Sequence, residues 1–226
     1  MSMTEPHRGL FVTFEGIDGS GKTTQMHMLA ARLREAGHEV LETYEPGGTP
    51  IGTQVRRILL DAANQELCAT SELLLYFACR AQNIEQWILP ALREGHIVLS
   101  DRFTDSTLVY QGVGRRLGRD VVLALDRIAC RGLQPDLTLL IDIDLETSLA
   151  RAQARNRTLQ EEDAGFAETR MDDQEIDFHH RVRQAYAELA AQEPRRFAVI
   201  DGRRDVETVA KAVWETVAVR LKKLHV

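Results

Sequence analysis

An α/β protein with a five-stranded parallel sheet and helices on both faces is what this sequence predicts. Three observations predict it. Apolar runs of strand length alternate with segments of helical period from residue 10 to residue 223. The run at 137–143 is near-continuous in apolar residues, as a strand covered on both faces requires. The first run leads straight into a glycine loop and then a helix.

Residues 10–14 form the first strand, with Val and Phe in a short apolar run. Gly16-Ile17-Asp18-Gly19-Ser20-Gly21-Lys22-Thr23 follows and fits G-x-x-x-x-G-K-[ST] at every fixed position, with Thr24 next. Met26, Leu29, Ala30 and Leu33 then recur at helical spacing. Strand, loop and helix in this order mark the phosphate-binding loop of a P-loop NTPase fold. Gly16, Gly19 and Gly21 let the backbone close on an anion. The loop amides converge at a helix N-terminus whose dipole favours negative charge. Lys22 brings a mobile cation to β- and γ-phosphate oxygens, and the Thr23 hydroxyl is placed to ligate Mg²⁺.

Gly37 stops the first helix, and 39–44 reads as the second strand. Glu45-Pro46-Gly47-Gly48-Thr49 is a turn at a strand's carboxyl end, where open parallel sheets bind ligands and where a cis X–Pro bond is favoured above its base rate. A short helix over 50–60 starts on Pro50 and carries Arg56. A longer one over 71–92 carries Tyr76 and Arg80 four residues apart, so that an aromatic plane and a guanidinium are neighbours. On spacing alone, a core aromatic beside a surface arginine is the simpler reading of that pair. Residues 97–100 are the third strand, and Asp101-Arg102 sit at its carboxyl end, pointing at the crevice. Thr107, Tyr110, Gln111 and the turn at 112–115 continue from it as a polar stretch. A helix over 119–131, a strand over 137–143 and an arginine-rich helix over 146–155 follow. Residues 156–173 lose apolar periodicity, and the segment at about 151–173 reads as a mobile lid. A helix over 175–191, a fifth strand over 197–201 and a helix over 205–223 capped by Asp205 complete one domain, residues 1–226.

The chain has 226 residues and a net charge of −6, which points to neither a nucleic-acid nor a membrane partner. Cys68, Cys79 and Cys130 are widely spaced and odd in number, as reduced thiols in a cytoplasmic protein would be. Residues 1–9 lack the apolar stretch of a secretion signal, and no run approaches the ~20 apolar residues of a membrane helix. His179 and His180 sit together on a helix without a third ligand, so they read as packing or surface residues.

The stretches FEGIDGSGKTTQ, EPGGT, LLLYFACRAQ, DRFTDSTLVYQGVGR, PDLTLLIDI and RAQAR occur in this order across most of the chain. Together they resemble the thymidylate kinases. The resemblance implies transfer of the γ-phosphoryl group of ATP to dTMP, with Mg²⁺, by a homodimer. It implies roles by position: Asp18 on the sugar 3′-hydroxyl, Tyr76 stacked on the base, Arg80 and Thr107 bonded to the base, and Arg102 with Arg56 on the acceptor phosphate. Glu45 and Gln111 fall within the matching substrate-side stretches, and Tyr110 would crowd a 2′-hydroxyl. Asp101 would orient Arg102 or a metal-bound water. Gly19 stands where one branch of the family has an arginine, so this chain is similar to the lid-arginine, bacterial branch. Arg155 matches the catalytic arginine, with Arg151 and Arg170 as supports and Arg157 as a further lid arginine. Two departures stand out: Tyr44 precedes EPGGT where relatives often have Arg, and the lid is long. Two other functions fit parts of the pattern: a kinase for another nucleoside monophosphate, and a non-catalytic nucleotide switch.

Overall fold

The computed structural model describes residues 9–162, 168–171 and 174–224. Five strands pair in parallel in the order β2-β3-β1-β4-β5, where β1 is Leu10–Glu15, β2 Val40–Tyr44, β3 Ile97–Asp101, β4 Leu137–Asp142 and β5 Phe197–Asp201. The central strand shows why the sheet is covered twice. Leu10, Val12 and Phe14 point to one face and meet α1 (Lys22–Glu35) and α9 (Val206–Leu224) through Met26, Leu33, Val213 and Val217. Phe11 points to the other face and joins a second core with Val98, Leu140, Leu73 and Phe178. Glu15 continues that second face as a fully buried carboxylate.

The chain leaves β1 towards β2 and β3 on one side and returns to β4 and β5 on the other. This reversal opens a crevice at the carboxyl ends of β1, β3 and β4, the place where such sheets bind ligands. The loop 16–21 follows β1 and residues 101–102 end β3, while the turn 45–49 follows β2 and lies beside them, with the Glu45 amide on the Asp101 carbonyl at 2.9 Å.

Most elements lie where the sequence predicts, and three differ. The predicted helix 71–92 runs as α3 (Ala69–Asn83), a π-helical segment Ile84–Ile88, and α4 (Leu89–Arg93). Pro90 is the cause: its ring would collide with a carbonyl one turn back in a regular helix, and the wider π turn relieves this. The polar stretch after Arg102 is helical, as α5 (Thr104–Thr107) and a π-helical segment Leu108–Gly114. It is buried because its polar side chains find partners on distant elements. The helix predicted to end at Arg155 continues, as α7 (Leu145–Glu162).

The remaining helices are α2 (Pro50–Leu60), α6 (Arg119–Ala129) and α8 (Ile176–Gln192). Local chemistry sets their starts. Thr49 accepts from the Gly52 amide at 2.9 Å ahead of Pro50, and Asp205 accepts from the Thr208 amide at 2.9 Å, as its capping role predicts. The Glu45–Pro46 bond is cis. The three cysteines are free thiols, with Cys68 exposed and the other two buried. Among the described residues no helix is long and apolar enough to cross a membrane.

Candidate active site

The glycine loop closes between β1 and α1, hemmed in from two sides. Gly16 has φ 139° and Gly19 φ 74°. A Cβ at Gly16 would stand 2.5 Å from the Ile141 carbonyl oxygen, and one at Gly19 would stand 2.5 Å from that of Ser148. Only glycine fits either place, so β4 and α7 press directly on the loop. Ser148 also donates its hydroxyl to the Asp18 carbonyl. Gly21 caps α1 in the left-handed region, and Ile17 is buried beneath. Lys22 opens the helix, buried along its length, with Nζ 3.8 Å from Asp18 Oδ1. Thr23 and Thr24 are exposed on the first turn, and the Thr23 hydroxyl donates to Asp101 Oδ2. Ser20 Oγ is buried without a hydrogen-bond partner among the described residues, a polar atom left for a ligand.

Asp18 joins the loop to the acceptor side. Arg102 Nη2 donates to its Oδ1 at 2.7 Å, and the Tyr110 hydroxyl donates to its Oδ2 at 3.0 Å. Arg102 Nη1 reaches back to the Gly16 carbonyl at 3.2 Å, and the guanidinium lies 4.9 Å from the Tyr110 ring centre. Burial works against the arginine's charge, but Tyr110 and Asp18 outweigh it and hold the pKa well above the ordinary value. Arg102 has φ 71°, a left-handed backbone at the strand's end that turns its side chain across the loop.

Arg80 lies deeper in the crevice and is 1% exposed. Its Nε donates to Glu45 Oε2 at 2.6 Å, and its Nη2 donates to Thr107 Oγ1 at 2.9 Å. Phe77 and Phe103 flank the guanidinium at 4.9 and 5.1 Å. Burial raises the Glu45 pKa, and the Arg80 charge opposes it. Arg80 Nη1 is buried and has no hydrogen-bond partner among the described residues. An arginine donor left open in a dry pocket costs free energy until an acceptor arrives, so this atom marks a place for a ligand oxygen. Tyr76 stands half-buried one helical turn before Arg80.

Other candidates lie elsewhere. Arg56 is held by Glu168, with contacts of 2.9 and 3.1 Å from Nε and 2.5 Å from Nη2, while its Nη1 donates to the Pro46 carbonyl at 2.9 Å. The Gln111 amide donates to Glu72 at 2.9 Å, where Arg115 and Arg170 also converge at 3.0 and 2.7 Å. Burial raises the Glu72 pKa, but hydrogen bonds from Arg115 and Gln111 bring it below the ordinary value. Arg170, expected as a support in the lid, is buried there with its Nε on the Leu59 carbonyl. Arg151 is exposed on α7, its Cβ close against Gly19. The side chains of Arg155 and Arg157 lie outside the described residues, as does the segment 163–167 of the expected lid.

The sequence reading missed Glu15, Ser106, Tyr186, Glu72 and Glu168. Glu15 did carry a signal, a lone acid at the end of an apolar strand beside the loop. The others carry none, because their partners are far away in sequence.

A family model described as thymidylate kinase matches residues 14–213. The chain belongs to the thymidylate kinase family. The thymidylate kinase of Geobacter sulfurreducens is 51% identical over 215 residues, spanning 95% of this chain and 99% of that protein. That of Thermomicrobium roseum is 47% identical over 94% of this chain and 96% of its own length. Among solved structures, thymidylate kinase from Ehrlichia chaffeensis superposes with a TM-score of 0.72 at 33% identity, covering 92% of this chain and 98% of that one. That family is built on the P-loop NTPase fold, and the five-stranded parallel sheet fits it.

Proposed function

We propose that this chain transfers the γ-phosphoryl group of ATP to the phosphate of dTMP, giving dTDP and ADP, a step in dTTP synthesis. The observation that carries it is the junction at Asp18, where one loop carboxylate meets both Lys22 and Arg102. A donor site and an acceptor site then share one wall, as in-line transfer between two anions requires.

The roles follow from position. Gly16 to Thr24 hold the donor phosphates, with loop amides as the cradle and Lys22 as the cation. Arg102 and Arg56 take the acceptor phosphate. Asp18 takes the sugar 3′-hydroxyl, and Tyr110 walls off the 2′ position. Arg80 presents its open Nη1 to a base carbonyl, positioned by Glu45 and Thr107, with Tyr76 against the ring. Gln111, turned into the Glu72 cluster, shapes the pocket from behind. Segment 151–173 is the lid of a single domain, and Arg155 brings the cation that meets charge developing in transfer.

The residues present fit Mg²⁺: the Thr23 hydroxyl and the Asp101 carboxylate are hard oxygen donors side by side at the loop's end. When bound, the ion would neutralise charge on the donor phosphates. We also read the chain as a cytoplasmic homodimer. Leu74 and Trp87 are exposed on the continuous helix 69–93, which supports that helix as part of the contact.

The test is ADP formation by the purified protein with ATP and a panel of nucleoside monophosphates. ADP should appear only when a monophosphate is present, and fastest with dTMP. Equal ADP formation without an acceptor, or a purine monophosphate as best acceptor, would contradict the reading.

A further inference from the structure

Glu15 ends β1, directly before the loop, and is fully buried. Among the described residues it accepts four hydrogen bonds. Oε1 accepts from the Phe103 amide at 2.8 Å and the Ser106 amide at 3.3 Å. Oε2 accepts from the Ser106 hydroxyl at 2.5 Å and the Tyr186 hydroxyl at 2.7 Å. The same two hydroxyl oxygens face Arg102: its Nη1 donates to Ser106 Oγ at 2.9 Å and to the Tyr186 oxygen at 3.3 Å.

A hydroxyl has one hydrogen and two lone pairs, and a guanidinium can only donate. Each hydroxyl that gives its hydrogen to Glu15 is therefore left as an acceptor towards Arg102. We propose that Glu15 is a positioning residue for the acceptor phosphate: it polarises Ser106 and Tyr186 so that both hold Arg102 in place. This rests on the assignment of Arg102 to that phosphate.

Among the described residues Glu15 forms an ion pair with no cation, so a neutral residue would serve a purely structural role at lower desolvation cost. The groups facing it are Asp105 from α5, itself paired with Arg196 at 2.6 Å, Arg102 from the end of β3, and Tyr186 from α8. Burial, then Asp105, pushes the Glu15 carboxyl up to about 7. A proton arriving there displaces one of the four donors. A freed hydroxyl passes its hydrogen to its neighbour, since Ser106 Oγ and the Tyr186 oxygen stand 2.8 Å apart, and without the carboxylate's charge both oxygens accept more weakly from Arg102. Glutamine has the same effect permanently, because it carries no charge and its amide nitrogen cannot accept from either hydroxyl.

The test is steady-state kinetics of dTMP phosphorylation from pH 5.5 to 8.5 for the parent, Glu15→Gln, Tyr186→Phe and Arg102→Ala. Glu15→Gln should raise the KM for dTMP about tenfold, the loss of one charge-assisted contact, with the KM for ATP within about twofold. It should also lose an acid limb near pH 7 that the parent shows in kcat/KM for dTMP. The substrate phosphate titrates near pH ~6 in both enzymes, so the difference between the profiles isolates Glu15. Tyr186→Phe keeps the carboxylate, and should raise the KM for dTMP roughly threefold while retaining the limb. Superimposable pH profiles for the parent and folded Glu15→Gln would overturn the inference. Should Glu15→Gln fail to fold, an unchanged KM in Tyr186→Phe would overturn it alone. An Arg102→Ala enzyme with normal dTMP kinetics would instead remove the assignment of Arg102 on which it rests.

Discussion

Arg102 and Arg56 are assigned to the same phosphate, yet the protein holds them in different ways. Arg102 is fixed from within the fold, by Asp18, Ser106, Tyr186 and the Gly16 carbonyl, and its side chain is 14% exposed. Arg56 is half-buried on α2 and held by Glu168, a residue beyond α7, through a bidentate pair. The difference teaches a division of labour. A cation set by groups on the sheet's rim is organised before substrate arrives. Arg102 gives only one nitrogen to a carboxylate, Asp18, whereas Arg56 gives Nε and Nη2 to both oxygens of Glu168, where a phosphate would place its own, so the substrate must take it over.

The comparison breaks first at Arg102. Arg102→Ala should lower kcat/KM for dTMP on the order of 10³-fold, since a preorganised charge-assisted contact is lost. It should also lower unfolding free energy in urea on the order of 3 kcal/mol, because partly buried partners are left behind. Arg56→Ala should cost about 10²-fold in the same kinetic constant. Its stability should change by about 1 kcal/mol or less, as for a solvent-screened pair. Equal stability losses in the two variants would erase the distinction.

The internal arrangement has a cost that pH exposes. The Glu15 carboxyl is raised from 4.5 to about 7 in the folded protein. A carboxyl raised on folding favours the folded state below its unfolded pKa and loses that contribution as pH rises through the folded one. The stability of the parent relative to Glu15→Gln should thus fall by about 3 kcal/mol between pH 4.5 and 8, read from paired urea titrations. A difference that is flat with pH would mean the carboxyl is not raised. The smallest effect sharpens the Arg56 side. Glu168→Gln weakens the carboxylate's hold, and should lower the KM for dTMP roughly threefold with little change in kcat. A higher KM would mean that Glu168 supports Arg56 during binding instead of competing with the phosphate.

The sheet and the loop were legible because their signals are local. Leu10 to Phe14, the glycine spacing and Lys22-Thr23 lie within one short stretch, and the period of each later segment gave its element. Asp205 could be read as a cap for the same reason. Legibility failed where partners are far apart. Thr107 and Gln111 read as part of a polar stretch, yet each is buried against an arginine or acid from another element: Arg80 and Glu72. Burial of a polar residue depends on what completes it, and that information is absent from its neighbours. Arg170 shows this best. Beside a charged, aperiodic segment it read as a lid cation, but Glu72 and the Leu59 carbonyl draw it into the core. Pro90 was visible in the sequence, but its effect on the helix was not, because a π turn a few residues earlier absorbs it.

The most direct measurement is a crystal structure of the chain with dTMP and a non-hydrolysable ATP analogue. The account predicts the dTMP phosphate on Arg102, the 3′-hydroxyl on Asp18, and a base carbonyl completing Arg80 Nη1. A structure in which dTMP sits away from Arg102 and leaves Arg80 Nη1 unpaired would contradict it.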